Sequence, residues 1–295
     1  MSSVEEHLAT RHAAGLFDFS FMGLYEFAGG SELQGLQTRD LEKIKPGQIA
    51  YTLLLKDDGA VLIDATLWRL GQERFWLFAG RRAAYGGRDR SGEYAILALQ
   101  GPASGLILAR LIGKDAVLSL RYFRFATHGA MTVARLGYSG ELGYELLVPA
   151  ADAAGLRQRI LEEGKAEGLC ECGWAAADSL RIEAGYVLFD REVDGRTNPR
   201  ELGLERLVDG QNSFPIGKRL VGFDILDEEQ AMELPAALVT SECLSPTLGK
   251  AIGLGFADPR LGPGTVARLS DGRAARVASL PFYDPGRLRA RAAPL

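Results

Sequence analysis

Apolar and polar residues alternate in short runs along most of the chain, and those runs set the predicted elements. Val4 to Ala14 reads as a helix stopped by Gly15. Leu16 to Met22 alternates aromatic and polar positions and predicts a strand, which Leu24 to Phe27 continues. Gly29-Gly30 breaks the run, and Ser31 to Thr38 predicts a helix weakened by Gly35. Three runs follow at hairpin spacing: Ile49 to Leu55, Val61 to Leu70 and Arg74 to Phe78, with Asp57-Asp58-Gly59 as the first turn. They predict a meander with Asp64 in its central strand. Next come a strand at Tyr94 to Leu99, a helix at Ser104 to Ile112 and a strand at Arg121 to Phe125. Helices are predicted over Ala151 to Gly168 and Trp174 to Ala184, the second capped by Gly185. From Leu220 onward the pattern becomes short strands with regular turns: Val221 to Leu226, Leu238 to Thr240, Ile252 to Phe256, Val266 to Leu269 and Arg276 to Leu280. That spacing predicts a small C-terminal β-barrel.

One stretch concentrates chemistry. Arg135 to Val148 reads RLGYSGELGYELLV, the turn and second strand of a hairpin whose first strand starts at Met131. Gly137, Gly140 and Gly143 predict positive φ or close backbone approach. Strand parity puts Tyr144, Leu146 and Val148 on one face and Glu145 and Leu147 on the other. The pattern alone favours a solvated Glu145, the usual state of a glutamate. Asp64 carries two readings of equal weight. Asp is disfavoured in strands and costly to bury unpaired, which points to function, but an open sheet face would also accept it.

Composition narrows the classes. With 47% apolar and 24% charged residues, the chain is of ordinary globular type, and 295 residues predict two or three domains. A net charge of −4 gives no basic surplus to attract a phosphate backbone, so a nucleic-acid partner is not expected. Arg287, Arg289 and Arg291 read as a solvated basic end. No apolar run approaches the ~20 residues of a membrane helix, and the N-terminus lacks the apolar core of a secretory leader. A cytoplasmic protein is expected, with Cys170, Cys172 and Cys243 reduced and without a metal role. Trp68, Trp76 and Trp174 read as core residues.

Several separated boxes occur in a fixed order. They are GLFDFSFMG from Gly15, QTRD from Gln37, PGQ from Pro46 with Tyr51-Thr52, and DGAVLID ending at Asp64. LQGP from Leu99, GYSGELGYE ending at Glu145, SLRIEAG from Ser179, FPIGK from Phe214 and SPTLGK from Ser245 follow. Any single box is weak; together, in this order, they resemble the aminomethyltransferase family, which comprises the glycine-cleavage T-protein and its tetrahydrofolate-dependent demethylase relatives. The resemblance runs from about Glu5 to Tyr283.

The resemblance implies an α+β fold arranged as a three-domain cloverleaf, with two ferredoxin-like α+β parts and a C-terminal β-barrel. The expected domains are 1–35 plus 127–215 for folate binding, 36–126 carrying Asp64, and 216–295 for the barrel. It implies a one-carbon transferase that moves a methyl or aminomethyl group from a small donor to tetrahydrofolate. Asp64 matches the active-site aspartate near the reactive folate nitrogens, and Glu145 the carboxylate that holds the pterin. A carboxylate suits that task because a pterin edge presents adjacent N–H donors. Tyr51, Tyr138, Glu141 and Arg181 are further candidate folate contacts. Glu141 reads equally as a turn cap, and one of Arg181 and Glu183 as a structural ion pair. A lipoyl carrier or a flavoprotein is the implied protein partner.

This chain also departs from the family pattern. Ile63 stands where an aspartate pair is usual, Ala79 or Gly80 where an asparagine is common, and Ala177 where an arginine contacts the folate tail. The segments from Lys218 to Val221 and from Asp227 to Leu238 are short, and a shortened N-terminal wall is expected. These departures keep an alternative open, a folate-binding protein without turnover or a subunit of a sarcosine- or dimethylglycine-type oxidising complex.

Overall fold

The structure, a computed structural model, describes residues 1–210, 213–226 and 235–295. Helix α1 (Ser3–His12) opens the chain. Ser2 caps it in a reciprocal box: its hydroxyl accepts from Glu5 N at 3.3 Å, and Glu5 Oε2 accepts from Ser2 N at 2.7 Å. Gly15 does not act as the helix stop but lies inside β1 (Ala14–Asp18). An added Cβ there would stand 2.2 Å from Thr10 Oγ1, so the glycine lets the strand pass close to α1. The expected strand over 16–22 is correspondingly shorter, because residues 19–22 leave β1.

The second region contains β2 (Gly23–Ala28), α2 (Ser31–Leu36), β3 (Ile49–Leu55), β4 (Val61–Arg69), β5 (Arg74–Ala79) and β6 (Arg88–Asp89). Its five strands form a sheet in the order β3-β4-β5-β2-β6. The predicted meander is the middle of this sheet, with Leu53 opposite Asp64. Gly59 closes the first turn at φ 82°, its N–H donating to Lys56 O at 2.9 Å.

Next come β7 (Tyr94–Gln100), α3 (Ser104–Ile112), α4 (Lys114–Ser119), β8 (Phe125–His128), β9 (Met131–Ala134) and β10 (Gly143–Pro149). Helix α5 (Ala153–Gly164), strand β11 (Leu169–Glu171) and helix α6 (Trp174–Glu183) complete this part. Its sheet runs β11-β1-β7-β10-β9-β8. The strand expected over 121–125 starts only at Phe125, because Phe123 sits at φ 57° and turns the chain. The two sheets take strands across the sequence boundaries expected at 35 and 126. β2 precedes residue 35 yet joins the Asp64 sheet, and β7 precedes 126 yet lies between β1 and β10. Backbone hydrogen-bonding edges, not proximity in sequence, choose a strand's neighbours.

Strands β12 (Arg219–Leu226), β13 (Ala236–Ser245), β14 (Lys250–Ala257), β15 (Val266–Leu269) and β16 (Ala274–Ala278) close a barrel in the order β12-β14-β13-β15-β16. Of the short stretch expected from Asp227 to Leu238, residues 227–234 lie outside the described residues.

Burial follows the predicted parity. Tyr144 and Leu146 pack with Leu97, Leu99 and Ile107 beneath α3, whereas Leu147 packs with Phe17, Trp68 and Leu180 on the opposite face. Glu145 shares the face of Leu147 and so looks toward the inter-sheet space. Among the described residues, no helix is long and apolar enough to cross a membrane.

Candidate functional site

A cavity of about 510 Å³ opens where the two sheets, the barrel and the C-terminal segment meet, within the size range of small-molecule sites. β3 and β4 supply Tyr51 and Asp64. The hairpin supplies Leu136 to Tyr138 and Glu145. The loop after α6 supplies Gly185 to Phe189, and residues 202–204 close another side.

Asp64 and Tyr51 share one face of the meander, because Tyr51 pairs with Thr66, two residues from Asp64. The Tyr51 hydroxyl donates to Asp64 Oδ2 at 2.8 Å. Burial pushes the Asp64 carboxyl up from its usual value, and the Tyr51 hydrogen bond works against that rise. Tyr51 in turn is pushed well up, first by burial and then by the Asp64 charge, so it stays a neutral donor. The pair is an oriented carboxylate in a low-dielectric pocket, suited to stabilising positive charge or accepting a proton.

Glu145 is buried, not solvated: only 8% of it is exposed. Its cross-strand neighbours are Ala98 on β7 and Ala134 on β9, too small to reach or cover it. Among the described residues no group donates to its carboxylate, and burial alone raises its pKa to about 7. A buried carboxylate facing a cavity without a partner marks a place where a ligand supplies the donors.

The turn between β9 and β10 is built around Gln100. An added Cβ at Gly137 would lie 1.9 Å from Gln100 Oε1, and one at Gly143 2.4 Å from the same amide. Ser139 Oγ donates to Gln100 Oε1 at 2.9 Å. Only Gly140 among the three turn glycines needs a left-handed backbone, at φ 82°. This framework presents Tyr138, whose hydroxyl donates to Val187 O at 2.6 Å and whose ring stacks on Tyr186 at 6.0 Å. Tyr138 therefore lines the cavity with its polar end already satisfied.

Glu141 and Arg181 do not line the cavity. Glu141 accepts from Arg11 Nη1 at 3.0 Å, with both side chains almost fully buried. Arg11 Nη2 also donates to Glu183 Oε2 at 2.8 Å. Glu183 further accepts from Ser245 Oγ at 2.5 Å and from Thr247 Oγ1 at 2.9 Å, and lies 3.2 Å from His7 Nε2. Burial by itself would raise Glu183, but His7, Arg11 and Ser245 together hold it down to about 2. Arg181 is fully buried, donating to Asp178 at 2.7 Å, Glu192 at 2.9 Å and Ser241 at 2.7 Å. These clusters tie α1, the hairpin turn and α6 to the barrel. Both Arg181 and Glu183 are ion-paired.

The cavity wall also holds residues whose role the sequence pattern did not show. Trp174, expected in the core, is 45% exposed at the cavity edge and meets Phe21 edge-on at 5.6 Å. Tyr122, Tyr186 and Phe189 line the wall from loops. Arg287 and Arg291, expected as a solvated end, also line it. Two departures from the family pattern acquire shapes. At Gly80, an added Cβ would meet the Phe189 ring at 2.5 Å, so that ring fills the space of a side chain there. Ala177 is 4% exposed and packs in the core beside Leu180. Positions in loops carry no periodicity, so no pattern signal marked the aromatic residues. Among the described residues, no group of three or more His, Cys, Asp or Glu is placed to hold a metal ion.

Comparison with known proteins agrees with the boxes. The GCVT N-terminal domain family matches residues 1–212. The aminomethyltransferase of Halothermothrix orenii is 34% identical over 301 residues, covering 86% of this chain and 83% of that protein. The aminomethyltransferase of Symbiobacterium thermophilum is 35% identical over 335 residues, covering 96% and 89%. Among solved structures, the crystal structure of glycine cleavage system aminomethyltransferase T from Bartonella henselae superposes with a TM-score of 0.80 at 27% identity, covering 96% of this chain and 90% of that one. A family match over most of the chain, relatives of this similarity and a full-length structural likeness place the chain in the aminomethyltransferase family of transferase enzymes.

Proposed function

We propose that this protein transfers a one-carbon unit from a small donor to tetrahydrofolate bound in the 510 Å³ cavity, either a methyl group or the methylene carbon of an aminomethyl donor whose nitrogen leaves as ammonia. The observation that carries this reading is Glu145, a buried carboxylate with no donor among the described residues, facing the same cavity as the Tyr51–Asp64 pair. A pterin edge would supply two parallel N–H donors to Glu145, the bidentate geometry that compensates its burial. The aromatic faces of Tyr138 and Tyr186 would flank the ring system. Tetrahydrofolate, when bound, supplies the nitrogen that takes up the one-carbon group. Asp64, oriented by Tyr51, stabilises positive charge near that nitrogen or accepts its proton. A lipoyl carrier is the proposed protein that presents the donor. We further read the two sheets and the barrel as the three lobes of a cloverleaf around the cavity.

Calorimetry with tetrahydrofolate tests the reading; a heat of binding at micromolar ligand is expected. Folded protein that shows no heat and no competition at high micromolar ligand would sink it. Binding without turnover is the second reading, favoured by the departures from the family pattern at Ala79 or Gly80 and at Ala177. The two separate at Asp64→Asn: the transferase reading expects product formation to collapse, whereas the binding reading expects no product from either protein.

A further inference from the structure

Away from the carboxylates of the main cavity, two thiols face each other. Cys170 lies in β11 and Cys172 two residues on, so strand parity turns both side chains to one face. Their sulfurs are 3.3 Å apart. Both residues are buried in the core beside Phe17 and Leu180. A glycine on the neighbouring strand makes the room for them: an added Cβ at Gly15 of β1 would stand 2.8 Å from Cys172 Sγ. Helix α1 closes the other side, with Thr10 Oγ1 and Glu6 O each 3.6 Å from that sulfur. Cys172 still has an opening. It lines a second cavity, of about 340 Å³, together with Phe17, Phe19, Trp174 and Asp178.

The backbone permits the two sulfurs to join. Residues two apart on a strand have Cα atoms about 6.6 Å apart, at the upper end of the ~4.4–6.8 Å that a disulfide spans. β11 ends at Glu171, so Cys172 lies just past the strand, and Gly173 then turns the chain into α6. The sulfurs must approach by about 1.3 Å to reach bonding distance. The two thiols are not equivalent. The Cys172 S–H donates to the Cys170 sulfur and holds the Cys170 thiol below its ordinary value, while the same bond and burial push Cys172 up. Cys243 stands elsewhere, on barrel strand β13, and burial pushes its thiol up to about 12.

We propose that Cys170 and Cys172 form a redox-sensitive modification site, a dithiol that a hydroperoxide closes to a disulfide. The Cys170 thiolate attacks one oxygen of hydrogen peroxide and the O–O bond breaks. The departing hydroxide takes up the proton that Cys170 released, giving water and a sulfenic acid. The Cys172 sulfur then attacks the sulfenic sulfur. The S–S bond forms, the S–O bond breaks, and the second hydroxide leaves as water with the Cys172 proton. Each sulfur gives up one electron, and the peroxide takes both. Closure draws the Cys172 sulfur away from Thr10 Oγ1 and Glu6 O, where Glu6 Oε2 also accepts from Gly173 N at 2.8 Å. The site therefore sits at the junction of α1 with the start of α6, two residues from Trp174, which borders both cavities. It stands independently of the folate reading.

The test is thiol mapping. Folded full-length protein is exposed to a small molar excess of hydrogen peroxide, quenched, unfolded, alkylated and mapped by mass spectrometry. The peptide carrying Cys170 and Cys172 is expected to lose two hydrogens, to escape alkylation and to recover both thiols with dithiothreitol. Cys243, although more exposed, should stay alkylatable, its oxidation at least about tenfold slower than closure of the pair. In Cys172→Ala the second thiol is gone, so Cys170 should stop at a sulfenic acid that dimedone traps, an adduct absent from wild type. Alkylation of both Cys170 and Cys172 after peroxide overturns the proposal. So does a disulfide between two chains, sulfinic acid without a disulfide, oxidation of Cys243 as fast as the pair, or a dimedone adduct on wild type equal to that on the variant. The wild-type map decides the question by itself if the variant does not fold.

Discussion

Glu183 and Glu145 are both buried carboxylates, and the protein holds them in opposite states. Glu183 is wrapped by Arg11, His7, Ser245 and Thr247, and its pKa falls to about 2. Glu145 has two alanines across the sheet and, among the described residues, no donor, and its pKa rises to about 7. The first charge is compensated inside the chain and ties four elements together. The second is compensated by nothing among the described residues, which is the mark of a group that waits for a ligand. Burial alone therefore does not distinguish structure from function here; the presence or absence of partners does.

The largest effect is expected at the compensated cluster. Glu183→Ala leaves Arg11 without its main counter-charge in the core and should cost about 3–5 kcal/mol, read from urea unfolding. A loss under about 1 kcal/mol would show that the cluster is not the tie described. The same cluster predicts acid sensitivity. With a folded pKa of about 2 against an ordinary 4.5, Glu183 contributes stability above pH 4.5 that disappears as pH falls toward 2.

The next effect lies in the cavity. Asp64→Asn keeps the hydrogen-bonding shape but removes the charge. Turnover is expected to fall about 100- to 1000-fold, with tetrahydrofolate affinity within about threefold of wild type. A variant that turns over normally would remove Asp64 from the chemistry.

Glu145 should then behave as the mirror of Glu183. Its folded pKa lies above the ordinary 4.5, so the folded state binds the extra proton. Stability from this group therefore declines as pH rises from 4.5 to about 7, the reverse of the Glu183 trend. Glu145→Gln should flatten that decline and raise stability at pH 8 by about 2–3 kcal/mol, while weakening pterin binding. In wild type, tetrahydrofolate affinity should increase as pH rises toward 7, with a proton released on binding. Calorimetry in buffers of different ionisation enthalpy reads that proton directly, and its absence would contradict the assignment of Glu145.

The smallest effect concerns the turn that joins the two environments. Gly140 precedes Glu141 of the Arg11 cluster and lies in the same hairpin as Glu145. Its φ of 82° and the 2.9 Å separation of an added Cβ from Ala184 Cβ disfavour any side chain. Gly140→Ala should cost about 1–2 kcal/mol by thermal or urea unfolding. A stabilising effect would mean that the turn is not held as described.

Much of this molecule was legible in the residue pattern. The meander of β3 to β5 follows from three apolar runs around Asp57-Asp58-Gly59, and α3 matches its predicted span. Parity alone set Glu145 against the face of Tyr144, and the burial of Leu146 and Leu147 on opposite sides follows it. The site was legible in part. Asp64, Tyr51, Tyr138 and Glu145 gather at one cavity, whereas Glu141 and Arg181 join internal ion pairs. Gly15 misled as a helix stop because a glycine that admits a close contact is written like one that ends a helix. Trp174 misled because an aromatic residue at a helix start has the same pattern in a core and at a cavity edge.

The sequence by itself determined local geometry, strand parity, the order of the boxes and the family they resemble. Those depend on neighbours a few residues apart, where backbone stereochemistry and side-chain period dominate. Only the tertiary structure decided which carboxylate is paired and which is left open. Arg11 reaches Glu141 and Glu183 from the far end of the sequence, and the C-terminal segment brings Arg287 and Arg291 back to the cavity wall. The electrostatic state of a buried group depends on which charges and dipoles surround it in space, and no spacing along the chain records those neighbours.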